Sequence, residues 1–489
     1  MRTLLSDQGR FDKPSISNVP LNFNCRDEIV PVLAGLQHLY SQAALRDKIL
    51  DLVEQDVNES SRNDRGREGL GYWEIAVLAA VRLGCNLDYD KLQDLAEQHR
   101  ALRQIMGIGD WQGDDDDFRA RRIRDNVCLL KSQTIEAISH CIVEEAYRLE
   151  PEAAEKQRAD SFVVETNIHH PTESSLIVDG TRKVIELCVK LYEAYDINGW
   201  RQHEHLLKKV KQTARQIARI SSRKGGNYRE RLKQQYRKLL RLANLILSRA
   251  SEMCETLHNE YELDTRTLGC IAEIKDFIER TEQVCGTARR RVLEGETVPN
   301  GDKLFSIFEP HTQLYRRGKA GQPNQFGRLV LIYEDASGFI PHHYVMPRKA
   351  QDQDVAVEQT RILQQRLKDR IKALSFDRGF HSPENQEELA KIVSGICLPK
   401  PGSKQSAEQA AMESVQFHTS KQRHPGVESA IGALQSGNGL ARCRDNREDG
   451  FERYVALAVL GRNIHTLGKL LISRINEKAA AAISHRAAA

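Results

Sequence analysis

Apolar positions recur along this chain in two textures, and the changes between them divide it. Over residues 27–149 the spacing is helical throughout: Leu45, Ile49, Leu52 and Val53 share one stripe, and Trp73 with the run 75–81 marks a more deeply buried helix. A turn at Gly84 leads into a helix over 89–98, a short helix follows to Met106, and 124–149 reads as one long helix. The helix pair around Gly84 fits a helix-turn-helix and an ordinary bundle equally well. At Arg158 the texture changes. Residues 159–164 are short, β-branched and apolar around a single Asp160, the pattern of a buried strand. Helical spacing then returns over 181–194, 201–221, 228–258 and 263–293. In the third of these, Leu232, Tyr236, Leu239, Ala243, Ile246, Ala250, Met253 and Leu257 alternate at four and three, a coiled-coil seam. The short Gly225-Gly226 turn before it predicts an antiparallel hairpin, and the seam is also a candidate contact between copies.

From Lys303 onward strands are expected at 304–308, 327–333, 338–346, 371–376 and 395–399, with helices at 354–368, 385–393, 425–435 and 451–473. Residues 400–423 read as a polar loop and 476–489 as a disordered tail. The resulting division is an arm at 1–24 and a helical domain at 25–150. An α/β domain follows at 151–180 and 300–475, interrupted by a helical insertion at 181–299. No apolar run approaches 18 residues and the N-terminus lacks a secretory pattern, so a cytoplasmic protein without a membrane span is expected. The ten cysteines are scattered, with no CxxC, which points to reduced thiols rather than a structural zinc site. Charge changes the picture more. Residues 201–250 hold 15 Lys and Arg against only Glu204 and Glu230, a net +13 in a chain of +4, so the remainder carries −9. A solvated helix face would mix signs. This one has the footprint of a polyanion-binding element, and the candidates are Lys208, Lys209, Arg215, Arg219, Arg223, Lys224, Arg229, Arg231, Lys233, Arg237, Lys238 and Arg241.

The chemistry gathers at the end of strand 371–376. Asp377 stands at its carboxyl end, where open α/β sheets place their sites, although Asp also caps turns for local reasons. With the insertion left out, the order is a run of strands, then helix, strand, helix, strand, helix. That is close to a ribonuclease H-like core, a mixed five-stranded sheet with helices on both sides. In that order Asp160 and Asp377 lie on neighbouring strands, and Glu428 lies on the helix packed beside them. Three converging carboxylates raise one another's pKa unless cations neutralise them. A pair of Mg²⁺ ions, with Mn²⁺ as substitute, suits such hard oxygen ligands. Glu452 rivals Glu428; Asp179 and Glu165 rival Asp160; His169 and His170 read as hydrogen-bonded loop histidines. The acidic run 113–117 reads as a solvated connector.

Three segments carry a resemblance: 160–180 (DSFVVETNIHHPTESSLIVDG), 375–389 (SFDRGFHSPENQEEL) and 424–444 (HPGVESAIGALQSGNGLARCR), with GRNIHTLG at 461–468 in support. Over nearly its whole length the chain resembles bacterial insertion-sequence transposases of the DDE type, in a group not assigned to a named family. The resemblance implies that Asp160, Asp377 and Glu428 bind the metal ions. It also implies cutting at element ends and joining of 3′ hydroxyls to target DNA without a covalent protein intermediate. Where related transposases set Tyr and Arg before the Glu and Lys after it, this chain has Lys421, His424 and Gln435. The backbone contacts of that subgroup therefore do not carry over. Double-stranded DNA, both ends and target, is the expected partner, gripped by a homo-oligomer. End recognition falls to the N-terminal helices, with Tyr89, Lys91 and Gln93 as candidate base readers. A non-catalytic DNA-binding relative and a nuclease that only hydrolyses are the alternatives.

Overall fold

The computed structural model of the chain describes residues 14–60, 69–109, 118–223, 225–316, 324–400 and 415–488. The acidic run 113–117 and Lys224 fall outside them. The chain forms two compact units, Met1–Glu165 with Arg328–Ala489, and Thr166–Gly327. These boundaries differ from those read in the sequence, and they join the N-terminal helices to the α/β part.

The first unit opens with α1 (Ile29–Ser41), α2 (Ala43–Ser60), α3 (Tyr72–Gly84), α4 (Tyr89–Gln98), α5 (Arg100–Ile105), α6 (Ala120–Val127) and α7 (Ser132–Leu149), followed by β1 (Lys156–Thr166). The single helix expected over 124–149 is two, because Asp56 accepts the Lys131 amide at 2.7 Å and starts a new helix there. The second unit holds α8 (Glu173–Tyr195), α9 (His203–Arg223), α10 (Tyr228–Glu260), α11 (Thr265–Ala288) and β2 (Gln313–Tyr315). Then come β3 (Gln325–Asp335), β4 (His342–Val345), α12 (Asp352–Arg366), β5 (Ala373–Phe376), α13 (Pro383–Ile392) and β6 (Gly395–Cys397). The chain closes with α14 (Val415–Arg423), α15 (Gly426–Gly437), β7 (Arg442–Cys443) and α16 (Glu448–Ala488).

The sheet is mixed and seven-stranded, with order β2–β3–β1–β5–β6, β4 pairing β3 and β7 pairing β1. β1 and β5 run parallel, as do β5 and β6, whereas β3 and β4 are antiparallel. A five-stranded sheet was expected. Residues 304–308 form no strand: Leu304 and Ile307 sink into the helical core, and the Ile307 carbonyl accepts Arg280 Nη1 at 2.9 Å. The short β2 and β7 were not foreseen, since two or three residues carry no periodicity. α12 packs on the sheet face of Tyr333, whose hydroxyl meets Thr360 Oγ1 at 3.0 Å. α13 starts on Ser382, whose hydroxyl accepts the Asn385 amide, with Pro383 at the first position.

Helix α16 is the spine of the first unit. It packs against α1, α3 and α7. At Gly461 a Cβ would stand 2.4 Å from the Gly84 backbone nitrogen, and at Gly468 it would stand 1.8 Å from the Pro31 carbonyl oxygen. Only hydrogen fits at either crossing. Between them, Asn463 holds both the amide (2.8 Å) and the carbonyl (2.9 Å) of Ile340. The stretch Glu448–Ala482 is long and apolar enough to cross a membrane by length and composition. Its best window is 67% buried inside the protein, which makes it a core helix. Where a disordered tail was expected the helix continues to Ala488, consistent with the high helix propensity of its alanines. Arg82 of α3 is clamped beside it, bonding both carboxylate oxygens of Asp445 (3.0 and 2.5 Å) and lying 3.9 Å above the Tyr89 ring. All ten cysteines are free.

A buried polar cluster ties α7, β4 and α12 together. Arg366 bonds His140 Nε2 and, at 3.2 Å, His342 Nδ1. His342 Nε2 meets Gln359 Oε1 at 2.9 Å, and His343 faces Glu136 at 3.5 Å. Burial, the neighbouring Arg366 and the other histidines push His140 and His343 down to about 3; burial and Arg366 push His342 down to about 4. Burial pushes Glu136 up to about 6.

In the second unit the α10 seam is buried as its spacing demanded, from Tyr236 through Leu257, with Leu232 partly buried. Its partners are α8, α9 and α11 of the same unit. The seam is therefore filled by packing within the chain.

Candidate active site

The site is built by register. Lys156, Gln157, Arg158 and Ala159 of β1 face Ala373, Leu374, Ser375 and Phe376 of parallel β5. One step further along both strands brings Asp160 alongside Asp377. Side chains alternate between faces, so Asp160 and Asp377 leave on the face of Arg158 and Ser375, opposite Ala159 and Phe376. Asp160 is half-buried and accepts the Ser161 amide at 2.7 Å. Asp377 is exposed and begins the single turn Arg378–Phe380, but its carboxylate makes no capping bond there. Local capping thus does not explain it.

Glu428 lies in the first turn of α15 and is itself exposed. His424, a departure from the related pattern, lies within electrostatic reach of both Asp377 and Glu428. His424 Nδ1 lies 3.2 Å from Ser375 Oγ. Burial lowers its pKa most; Asp377 and Glu428 both act to raise it, and Arg158 opposes them. The net direction is downward, so this imidazole is neutral at pH 7. Arg158 forms the floor. Its Nε bonds buried Glu334 at 2.5 Å and its Nη1 bonds the Arg423 carbonyl at 3.1 Å. Gly426 lets it pass, since a Cβ there would meet Arg158 Nη1 at 2.0 Å. Burial raises the pKa of Glu334, and Arg158 works against that rise. Residues 401–414 lie outside the described residues; α14 stands where a loop was expected up to Arg423, packed beside β5 and β6.

Among the described residues no group of three or more His, Cys, Asp and Glu side chains is closed up to hold a metal ion. Carboxylates are the ligand type that would suit Mg²⁺ or Mn²⁺, but the structure does not gather Asp160, Asp377 and Glu428 into one such group. The rivals lie elsewhere. Glu452 is surrounded by Glu448, Arg328 and Asp449, and burial raises its pKa. Glu165 pairs with Arg442 at 3.1 Å. Asp179 belongs to α8 and pairs with His169 at 3.5 Å; His169 also meets Ser175 Oγ at 3.2 Å, a hydrogen-bonded loop histidine as expected. One carboxylate was overlooked: Asp352, at the start of α12, accepts Ser161 Oγ at 2.5 Å on the opposite sheet face from Asp160.

The candidate DNA surfaces divide. Lys208, Lys209, Arg215, Arg219, Arg223, Arg229, Arg231, Arg237, Lys238 and Arg241 are exposed, and Lys233 is half-buried. Among the described residues the one ion pair in this set joins Lys233 to Glu230, at 3.9 Å. At the N-terminal helix pair two of the three candidate base readers are committed. Tyr89 lies under Arg82, and Gln93 Oε1 accepts the Ala120 amide at 2.7 Å. Lys91 is exposed.

No family model, curated protein or solved structure matches the chain.

Proposed function

We propose that this chain is a DNA transposase of the DDE type, which cuts the ends of an insertion sequence and joins the freed 3′ hydroxyls to target DNA. The observation that carries the reading is the parallel register of β1 and β5, which runs Asp160 and Asp377 out side by side while α15 presents Glu428. The strand order β2–β3–β1–β5–β6, with β4 on β3 and β7 on β1, is compatible with a ribonuclease H-like core and supports the same reading. Asp160, Asp377 and Glu428 would hold two Mg²⁺ or Mn²⁺ ions. When bound, such a pair stabilises the attacking and leaving oxygens of an in-line displacement at phosphorus.

The chain's own groups set the geometry. Arg158, fixed by Glu334 and the Arg423 carbonyl, ties β1 to the end of α14, just before the helix that carries Glu428. Neutral His424 adds no positive charge beside Asp377 and Glu428, which leaves both carboxylates to the cations. The exposed cations of α9 and α10 grip phosphates without reading sequence. Joining two ends in one event calls for at least two copies on the DNA.

The test is cleavage of labelled duplex carrying the sequences that bracket the gene, in Mg²⁺. Asp160→Ala, Asp377→Ala and Glu428→Ala should each fall to background, with DNA affinity within about twofold of the parent because each removes a cation ligand rather than a phosphate contact. Glu452→Ala should stay active. Activity in EDTA, or loss with Glu452→Ala but not with Glu428→Ala, would overturn the assignment.

A further inference from the structure

We propose that the second unit contains a pocket for a single nucleotide, its base held by aromatic rings and its phosphate by cations. The cavity is about 460 Å³, within the range of sites that enclose small ligands. Its chemistry is graded. The inner wall is apolar, formed by Leu176 of α8, Ile217 of α9, Val284 of α11 and Leu304. Phe326 stands at the centre of an aromatic group, with Phe305 tilted at 5.6 Å and His170 edge-on at 5.6 Å. Phe326 is half-buried and lines the cavity.

Arg291, Lys303 and Arg316 also line the cavity, against one carboxylate, Glu173, which pairs with Arg291 at 2.6 Å. The balance on the lining is two positive charges, supplied by Lys303 and Arg316. α8 begins here, at Thr172, so the positive end of a 23-residue helix adds to the same potential. Asn300 and Asn324 contribute amides that both donate and accept, as base edges require.

An apolar wall with a cationic rim would also admit other amphiphilic anions. The aromatic pair and the two amides favour a nucleotide. The helix that presents Ile217, Ala218 and Ser221 to the cavity also carries exposed Arg215, Arg219 and Arg223 on its outer face, so the same unit offers cations to a polyanion. Bases stacked on aromatic rings beside a cationic groove are how proteins hold unpaired nucleic acid. The nucleotide could come from an unpaired strand end or from free solution, and the two sources separate experimentally.

The experiment uses the full chain carrying Asp377→Asn, without divalent cation, so that its outcome does not depend on the proposed strand transfer. Affinity is compared for duplexes ending in one unpaired nucleotide and in the same unit lacking its base; phosphates are equal in the two. Deoxyadenosine monophosphate is titrated separately. The base-bearing end should bind about tenfold more tightly, and Phe326→Ala should bring the ratio close to one. Phe326→Leu, which keeps the apolar volume, should fold with an unchanged melting temperature and also lose the preference. Lys303→Gln with Arg316→Gln should weaken both ends equally. A ratio near one together with Phe326-dependent binding of the monophosphate would support the pocket and assign it to free nucleotides. A ratio near one without such binding, or a preference that survives Phe326→Ala, would overturn it.

Discussion

His342 offers the sharpest physical test of the first unit. Its Nε2 donates to Gln359 Oε1, which leaves Nδ1 as the acceptor for Arg366. A proton on Nδ1 would set a donor against a donor and a charge beside a guanidinium. Burial and Arg366 hold the group near pKa 4, below its ordinary 6.5. The sign follows. The unfolded chain takes up the proton first, so stability is full above pH 6.5 and falls as the pH drops from there towards 4. Between pH 7.5 and 5.5 the loss from His342 alone is about 1.3 kcal/mol. Glu136, raised by burial, acts in the opposite direction, as does Asp335, which burial pushes up to about 7. His140 and His343 act in the same direction as His342. A single-site comparison therefore isolates the effect. In His342→Gln the side chain keeps an acceptor for Arg366 but cannot titrate, so the drop in stability from pH 7.5 to 5.5 should be smaller than in the parent by about 1 kcal/mol. Hydrogen exchange of the β4 amides in increasing urea measures this in the first unit rather than the second. Equal pH dependence in parent and variant would refute the reasoning, as would a steeper one in the variant.

Other outcomes follow from single contacts. Asp445→Ala should cost about 3–5 kcal/mol, because Arg82 stays buried without its carboxylate; urea unfolding measures it, and Asp445→Asn should lose less. Gly461→Val should fail to fold or lose more than about 3 kcal/mol in urea unfolding, since its Cβ would meet the α3 backbone rather than a yielding side chain. Changing six exposed cations of α9 and α10 to Gln should flatten the salt dependence of DNA binding by about five units, at about 0.9 per phosphate contact; an unchanged slope would assign that surface to another partner. Arg158→Met should unseat the start of α15 and lower cleavage in Mg²⁺ while leaving the salt slope of DNA binding unchanged.

Much of this architecture was legible because periodicity and burial agreed. The α10 stripe, the α3–α4 turn at Gly84, and the Ser382-Pro383 start of α13 are local signals, and the structure follows each. What could not be read was where an apolar stripe finds its partner. The spacing from Leu232 to Leu257 states that a face is buried, not whether α8, α9 and α11 or another copy covers it. Residues 304–308 form an apolar run of strand length, yet burial alone satisfies the pattern. Within the candidate site, Asp160, Asp377 and Glu428 are visible as polar residues at the ends or borders of apolar runs. Arg158 and His424 are not, because their role comes from contacts to Glu334, the Arg423 carbonyl and Ser375, more than 45 residues away in each case. Tyr89 and Gln93 show the converse. Both sit where a recognition helix would expose them, and both are held by neighbours.

Synthesis runs from α1 to α16, and the close crossings at Gly461 and Gly468 give that direction a consequence. The stripes of α1, α3 and α7 are completed by a helix that begins at Glu448. At about 5–20 residues per second, roughly 20–80 s separate the emergence of α1 from that of its partner. Through that interval the first helices stand on the ribosome with an unfinished core, while the second unit, encoded between them, can close on its own buried residues. The earliest part of the chain is thus among the last to mature. Any copy cut short before its final forty residues leaves the start of the protein, as well as its end, without a fold.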